Sequence, residues 1–260
     1  MALRSKRAAV ANLSAISSES FIGRWLRAPL RLIPRKAVVP IFQGPLRGKK
    51  WIVGAGTHGC WLGSYEHNKQ REFQKAIQPE DVVYDVGANA GFYSLLASVL
   101  VGEKGHVYAF EPLPDNARNL RKHLEMNRVR NCAVVEAAAS SSDGEASFDP
   151  SGDRYTAHLS TAGRIHVRTV ALDTLVSGNQ IRPPDFMKID IEGAEYDCLL
   201  GCARTIRAYR PVIFLATHGQ EIHDACLRLL AEWNYEVVSL DERPPNYSDE
   251  LVANPGSRPE

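Results

Sequence analysis

The strongest constraint on the fold is a regular alternation of short apolar segments with amphipathic helical segments between residues 82 and 233. This order is typical of βαβ units, in which parallel strands form a sheet that helices cover on both faces. Two further apolar segments near the C-terminus, 235–241 and 250–255, are predicted to pair as a final hairpin. The predicted strands lie at 82–86, 106–112, 132–140, 186–193 and 211–219, with weaker strands up to about 172, and the predicted helices at 90–101, 115–127, 194–206 and 221–233.

The N-terminal segment differs from the rest of the chain in charge. Residues 1–50 hold 11 Lys/Arg and one acid, and the remainder holds 31 − 11 = 20 basic and 30 − 1 = 29 acidic residues. This asymmetry predicts a basic arm over residues 1–37, partly disordered or helical, on a mildly acidic body. Apolar residues fall at helical spacing among arginines at Ile22, Trp25, Leu26, Leu30 and Ile33. This part of the arm therefore either packs onto the body, through Trp25 and Leu26, or lies on an anionic membrane.

Residues 38–53 are predicted to form a hairpin that leads into the main domain. Residues 63–66 follow Trp61, and this stretch either folds over a bound ligand as a lid or packs into the core. The five cysteines are scattered without metal-ligand spacing, which predicts buried free thiols in a reducing compartment. No apolar run approaches the roughly 20 residues that span a bilayer, so a cytoplasmic location is expected.

A cluster of small and turn-forming residues follows the strand at 82–86, where Asp85, Gly87, Asn89 and Gly91 occur within seven residues. Ligands of open parallel sheets collect at the carboxyl ends of the strands, and glycines there let the backbone approach a ligand. The cluster lacks the spacing of the dinucleotide fingerprint and the lysine of a P-loop. An acid at this turn disfavours a pyrophosphate but suits S-adenosylmethionine (AdoMet), which carries an ammonium and a sulfonium.

Glu111 ends the second strand of the series, 26 residues after Asp85. An acid at this position can accept both hydrogen bonds of a ribose diol, by the same logic as in dinucleotide-binding folds. The alternative is a structural role, as an acid at the start of the next helix, since Pro112 and Asp115 follow.

Four motifs in series resemble the FkbM-type family of class I AdoMet-dependent methyltransferases: VVYDVGANAGFYSLLAS, VYAFEPLPDNARNLRKH, MKIDIEGAE and ATHG. The resemblance covers about residues 45–255. It implies a Rossmann-like α/β fold with a mostly parallel seven-stranded sheet, helices on both faces and an antiparallel last strand. It also implies AdoMet as methyl donor and O-methylation of hydroxyls, often on sugars or polyketide-like products. Residues 38–260 would then be the methyltransferase domain, with the arm as an N-terminal extension.

The resemblance places Asp85, Gly87, Asn89 and Gly91 in the AdoMet loop and makes Glu111 the ribose acid. We also assign Ala138, in the predicted strand 132–140, to the cofactor site. Members of the family often have a glutamate two residues before the histidine of the HG pair, and this chain has Ala216 there.

The later strand ends carry the candidate catalytic residues. Asp190 is expected to face both the cofactor and the acceptor, although it could instead cap the next helix. His218 is either the base that takes a proton from the acceptor hydroxyl or a hydrogen-bonded structural histidine. Glu192 is a further candidate, whereas Glu195 is interpreted as an acid that favours a helix N-terminus. No metal is expected, because the fifth strand offers Thr217 and His218 rather than the acid pair that suits Mg²⁺.

The sequence therefore predicts an AdoMet-dependent O-methyltransferase that acts on a hydroxyl of a sugar, glycoconjugate or other small natural product. The alternative is a catalytically silent protein of the same fold that binds a partner or a membrane surface through its basic arm. A nicotinamide oxidoreductase is disfavoured by the missing fingerprint. Nucleic acid is not expected as a substrate, because the motif used for methylating base amino groups is absent.

Overall fold

The computed structural model of the protein describes residues 29–149, 158–159 and 165–257. Most of the predicted basic arm, including Trp25 and Leu26, lies outside the described residues. The chain divides into two compact units, residues 1–71 and 72–260. The predicted domain boundary after residue 37 stays a prediction.

The described part of the first unit contains an antiparallel strand pair and short helices. Strand β1 pairs with β2 so that Val39 lies opposite Trp51. Trp51 and Trp61 are buried, and the ring of Trp61 lies 5.8 Å from that of Phe42. Trp61 therefore packs in an aromatic cluster, and the lid remains a prediction. The elements are a 3₁₀ turn (Pro29–Leu32), β1 (Val38–Pro40), β2 (Lys50–Ile52), α1 (His58–Leu62) and α2 (His67–Ala76), whose last residues belong to the second unit.

The second unit alternates strands and helices, as the sequence predicts. Its elements are β3 (Val82–Val86), α3 (Phe92–Val101), β4 (His106–Phe110), α4 (Pro114–Met126), β5 (Cys132–Val135), β6 (Ala138–Ala139), β7 (Gly144–Asp149), β8 (His158–Leu159), β9 (Ile165–Val170), α5 (Leu172–Ser177), β10 (Phe186–Ile189), α6 (Glu195–Gly201), α7 (Ala203–Tyr209), β11 (Val212–Ala216), α8 (Gln220–Glu232), β12 (Tyr235–Ser239), a 3₁₀ turn (Pro245–Tyr247) and β13 (Glu250–Pro255).

The main sheet has seven strands in the order β12-β13-β11-β10-β3-β4-β5. Strand β3 pairs in parallel with β4 on one side and β10 on the other, and β13 runs antiparallel to both of its neighbours. The predicted mostly parallel sheet with an antiparallel last strand is thus confirmed. Because the chain proceeds from β3 to β4 and later returns to the other side of β3, the strand order switches at β3. Ligand sites of open α/β sheets form at such a switch.

The buried strands place alternate side chains on opposite faces of the sheet. Tyr84, Met187 and Ile213 belong to one large apolar cluster, which also contains residues from α5, α6, α7 and α8. On the other face, the ring of Phe186 lies 4.9 Å from that of Phe214 and 5.1 Å from that of Phe73. Apolar packing on both faces fixes the positions of the strand ends.

The strand predicted over 132–140 is wrong in extent, because two strands of different sheets occupy this segment. Strand β5 is an edge of the main sheet, whereas β6 pairs with β9 in a separate four-stranded sheet of order β6-β9-β7-β8. Between them, the Ala137 N–H bonds to the Val135 carbonyl at 2.9 Å, which is a tight reversal incompatible with a continuous strand.

The helix predicted over 194–206 is also divided, into α6 and α7 with Cys202 between them. Asp173 causes a new helix to begin there, because its carboxylate accepts hydrogen bonds from the backbone N–H groups of Arg204 and Thr205 at 2.9 and 2.8 Å. These bonds satisfy donors that a helix N-terminus leaves unpaired.

Candidate active site

The carboxyl ends of the central strands carry the predicted site residues. Strands β10 and β11 end at Ile189 and Ala216, earlier than predicted, so Asp190 and His218 lie in the turns that follow. Glu111 directly follows β4 in the same way.

The turn after β3 has the conformation that its glycines and asparagine permit. Gly87, Asn89 and Gly91 have φ values of +79°, +50° and +90°. A Cβ atom on Gly87 would lie 1.9 Å from the carbonyl oxygen of Asp190, so only glycine fits between the ends of β3 and β10. The glycine therefore lets the ends of β3 and β10 approach closely at the switch in strand order.

Glu111 is tied to this turn. The Asn89 N–H donates to its Oε2 at 2.7 Å, while the Leu113 N–H and the Asn116 side chain donate to its Oε1 at 2.9 and 3.3 Å. The first bond joins the end of β4 to the glycine turn, and the other two lie at the start of α4. Glu111 therefore also has the structural role considered above, as an acid at the start of the next helix. Burial raises the pKa of Glu111, and these hydrogen bonds oppose the rise.

Asp85 lies on the inside of the sheet rather than at its rim. It is fully buried, its Oδ2 accepts a hydrogen bond from the Ser94 hydroxyl at 2.6 Å, and its Oδ1 lies 3.4 Å from Nζ of Lys188. In this arrangement the carboxylate joins β3 to Ser94 of α3 and to Lys188 of β10. Its predicted direct contact with the cofactor stays a prediction.

Ala138 occupies β6 of the small sheet, where it is buried and paired with Thr169. Its place in the cofactor site also stays a prediction. Ala216, which stands where the family often has glutamate, lies opposite Glu250 of β13.

His218 has carboxylates beside both ring nitrogens. Its Nδ1 lies 2.8 Å from Oε1 of Glu195, and its Nε2 lies 3.5 Å from Oε2 of Glu192 and 4.0 Å from Oδ1 of Asp190. The side chain of His218 is 35% exposed, whereas that of Glu195 is fully buried. The structure thus brings the three predicted catalytic residues together and adds Glu195, whose contact with His218 the sequence interpretation missed.

Glu195 organises this cluster. Besides its bond to His218, its Oε1 accepts hydrogen bonds from the backbone N–H groups of Gly193 and Ile191 at 3.0 and 3.4 Å. It therefore fixes the turn that carries Glu192. The N-cap residue of α6 is Ala194, so the alternative of Asp190 as that helix's cap is not realised. The position of Glu195 in the first turn of α6 could be predicted from the sequence, but its contact with His218 could not.

The carboxylates change the protonation of the histidine. The hydrogen bond to Glu195 raises the pKa of His218 from its ordinary 6.5 to about 9; burial lowers it, and the charges of Glu195, Glu192 and Asp190 raise it further. The ring is therefore an imidazolium at neutral pH in the unliganded protein. Because Nδ1 donates to Glu195, Nε2 is the atom that releases or accepts a proton.

The same cluster contains a possible ligand set for a metal ion. One ligand atom each from Asp190, Glu192 and His218 lies within 4.8 Å of the others. A competing positive charge is close, since Nζ of Lys188 lies 3.6 Å from Oδ2 of Asp190. The expectation that no metal is used stays a prediction.

These features fit AdoMet. A carboxylate oxygen can accept two hydrogen bonds, and among the described residues Oε2 of Glu111 accepts one, from Asn89, so it can take a second from a ribose hydroxyl. A glycine turn after β3, an acid after β4 and the switch in strand order define the class, a class I methyltransferase.

The comparisons with known proteins specify the family within this class. The family described as "Methyltransferase FkbM domain" matches residues 85–237. The chain therefore belongs to the FkbM methyltransferase family, and the predicted family, enzyme class and cofactor, AdoMet, are confirmed.

Two curated relatives and one solved structure show the range of the similarity. Hexuronic acid methyltransferase AglP of Haloferax volcanii is 31% identical over 170 residues, which are 64% of this chain and 68% of that protein. The 2-O-methyltransferase NoeI of Sinorhizobium fredii is 27% identical over 175 residues, 59% of this chain and 70% of that protein. A putative rRNA-methylase from Clostridium thermocellum has a TM-score of 0.51 at 10% identity, covering 75% and 97% of the two chains, which shows a common fold. Within the described residues, no helix is long and apolar enough to cross a membrane.

Proposed function

We propose that this methyltransferase transfers a methyl group to a hydroxyl of a sugar or glycoconjugate, with the acceptor bound beside Asp190, Glu192 and His218. The carrying observation is the position of Nε2 of His218, on a partly exposed ring between two carboxylates at the ends of β10 and β11. Bound AdoMet supplies an electrophilic methyl group on its sulfonium. The relatives named for hexuronic acid and 2-O-methylation support a sugar acceptor.

The residues proposed to hold the cofactor surround the switch in strand order. The turn with Gly87, Asn89 and Gly91 would contact it through the backbone, and Glu111 would accept the ribose hydroxyls. Asp190 would face its methionine part, Asp85 would support the turn, and Ala138 would line the site from β6.

His218 would accept the acceptor's proton at Nε2 in its neutral form. Glu195 fixes the ring orientation, while Asp190 and Glu192 stabilise the imidazolium that results. Since the pKa of His218 is about 9 in the unliganded protein, the base becomes available as the pH rises towards that value. In-line positioning of the two reactants would supply much of the remaining rate enhancement.

Charge favours a hydroxyl over a carboxylate as the acceptor group. Asp85, Asp190, Glu192 and Glu195 supply four formal negative charges, and protonated His218 with Lys188 supplies two positive ones. An acceptor carboxylate at this point would be repelled by the cluster, and being already ionised it would gain nothing from a base.

The test uses AdoMet with an isotopically labelled methyl group. The acceptors are an oligosaccharide that ends in a uronic acid and its matched neutral counterpart, with the carboxyl reduced. We expect label in an alkali-stable ether on both acceptors, since the acceptor oxygen is a hydroxyl. Label found only in an alkali-labile ester would contradict the hydroxyl assignment. If the protein binds AdoMet but transfers label to none of the sugar acceptors, the assignment of a sugar as the acceptor would be contradicted.

A second experiment, treatment with a chelator, tests whether the reaction needs a metal. Dialysis against a chelator is expected to leave kcat unchanged, because Lys188 already neutralises part of the charge on Asp190. Loss of activity that Mn²⁺ or Mg²⁺ restores would instead make Asp190, Glu192 and His218 ligands. A cytoplasmic location and peripheral membrane contact by the arm remain proposals.

A further inference from the structure

Lys188 is a buried lysine within the apolar strand β10. Its side chain is 4% exposed, and its Nζ lies 3.4 Å from Oδ1 of Asp85 and 3.6 Å from Oδ2 of Asp190. The ammonium also donates to the Gly87 carbonyl at 3.3 Å and lies 5.5 Å above the ring of Tyr93. One cation thus contacts both ends of the proposed site, the cofactor turn and the acceptor side.

The partners of Lys188 are set by the sheet. Lys188 is in register with Asp85 on the neighbouring strand β3, so both side chains lie on the same face, which α3 covers with Ser94 and Tyr93. Among the described residues, Oδ1 of Asp85 accepts no hydrogen bond, and the nearby Lys188 supplies its opposite charge. A buried carboxylate requires such compensation.

The two strand ends that Lys188 joins are also in direct contact. The Asp190 N–H donates to the Val86 carbonyl at 3.1 Å, and Gly87 leaves no room for a Cβ atom against the Asp190 carbonyl. Displacement of either end therefore displaces the other. The lysine lies at Oδ2 of Asp190, while Oδ1 of the same carboxylate lies 4.0 Å from Nε2 of His218.

We propose that Lys188 is a positioning residue that fixes the Asp190 carboxylate relative to the AdoMet turn and offsets part of its negative charge. This inference rests on the proposed function, since it assumes that Asp190 and His218 face the acceptor. Lys188 offsets part of the negative charge that Asp190 presents to His218, and it does so from a buried position. Among the described residues, the other charged groups around His218 are Glu192 and Glu195, and the neighbouring element α8 contributes His223, which bonds to Thr217.

The test compares Lys188→Met, Asp85→Asn and the double variant, with Lys104→Met as the matched control. Lys104 forms an exposed ion pair with Glu80. Its replacement therefore also removes a lysine ion pair, but one that is far less buried than the pair of Lys188 and Asp85. Thermal melting, AdoMet affinity by calorimetry, kcat with acceptor KM, and the NMR titration of His218 are measured for each. The His218 signal is assigned by its loss in His218→Asn.

Lys188→Met is expected to lower the melting temperature, because Asp85 is left buried without its counter-charge. The double variant removes both charges and should recover most of that loss. Its kcat should nevertheless remain about tenfold or more below wild type, because the carboxylate is no longer held in place. The pKa of His218 should rise in Lys188→Met, rise by less in the double variant, which also loses the negative charge of Asp85, and fall slightly in Asp85→Asn. Lys104→Met should match wild type throughout.

A folded double variant with wild-type kcat and an unshifted His218 titration would overturn the proposal, since Lys188 would then be only a partner of Asp85. A double variant that fails to fold would also count against it, because the packing of the lysine rather than its charge would be what the fold needs. Failure of the proposed function is a separate result, namely wild-type protein that methylates no sugar hydroxyl.

Discussion

The Nδ1 atom of His218 lies 2.8 Å from Oε1 of Glu195, and the two residues differ sharply in exposure: the carboxylate is fully buried and the imidazole is 35% exposed. A partly exposed ring is thereby anchored to the rigid start of α6. The anchored nitrogen must carry its hydrogen, so all proton exchange is left to Nε2, which faces Asp190 and Glu192.

The first prediction concerns the removal of this ring. His218→Asn should retain AdoMet affinity and lower kcat by about 10²–10⁴, the usual contribution of a general base. The wild-type rate should rise with pH as the imidazolium, with its pKa raised to about 9, loses its proton. Steady-state kinetics between pH 6 and about 10, with AdoMet affinity measured by calorimetry, checks both statements.

The matched control for that experiment is His166→Asn, which changes a histidine of the small sheet whose ring bonds to Ser147. This variant should keep the wild-type rate and the decrease of that rate at low pH, which is the acidic limb of the pH profile. If His218→Asn turns over at nearly the wild-type rate, or keeps the acidic limb, the base is Asp190 or Glu192 instead.

The second prediction concerns the charge of the cofactor. AdoMet binding should lower the pKa of His218 from about 9, because a sulfonium placed nearby disfavours a second positive charge. S-adenosylhomocysteine has the same shape around a neutral thioether, so it should lower the pKa much less. NMR titration of His218 in the free protein and in both complexes measures the difference. Equal titration in the two complexes would place the sulfur far from the histidine.

The sequence was sufficient for the alternation of strands and helices and for the residues at the strand ends. Apolar periodicity marks buried strands, and the ends of parallel strands meet at one edge, so Gly87, Glu111, Asp190 and His218 could be placed together. The division of the strand at 132–140 could not be predicted, because the apolar pattern continues through the reversal at Ala137.

Glu195 and Lys188 were missed for a different reason, since their roles depend on partners that are distant in the sequence. An acid in the first turn of a helix is explained by the helix dipole, so Glu195 required no further partner. Lys188 did leave a signal. A lysine inside the apolar strand β10 and an aspartate inside the apolar strand β3 are each costly alone, and their register in a parallel pair makes them compensate each other.

The third prediction concerns Glu111. Its replacement by alanine should weaken AdoMet binding by about 1.5–3 kcal/mol, the range for hydrogen bonds to a charged group. Asn116→Ala is the matched control, since it removes one donor to Oε1 and leaves the carboxylate and its bond to Asn89 in place. Calorimetric titration should show near-normal affinity for that control. An unchanged affinity in a folded Glu111→Ala protein would remove Glu111 from the ribose site.

The fourth prediction compares two glycines that share a positive φ. Gly87 has φ +79° and Gly48 has φ +85°, so alanine at either position should cost about 1–2 kcal/mol of unfolding free energy. Only at Gly87 would the added Cβ meet the Asp190 carbonyl oxygen, at 1.9 Å, whereas at Gly48 it would meet nothing within 4 Å. Gly87→Ala should therefore lose more stability in urea unfolding, because the ends of β3 and β10 must separate.

Separation of these strand ends should also disturb the site itself. In Gly87→Ala we expect weaker AdoMet binding and a lower kcat, since Asp190 and the cofactor turn move apart, while Gly48→Ala should keep wild-type values of both. If the two variants lost equal stability and bound AdoMet equally well, the contact between Gly87 and Asp190 would not be what holds the turn against β10.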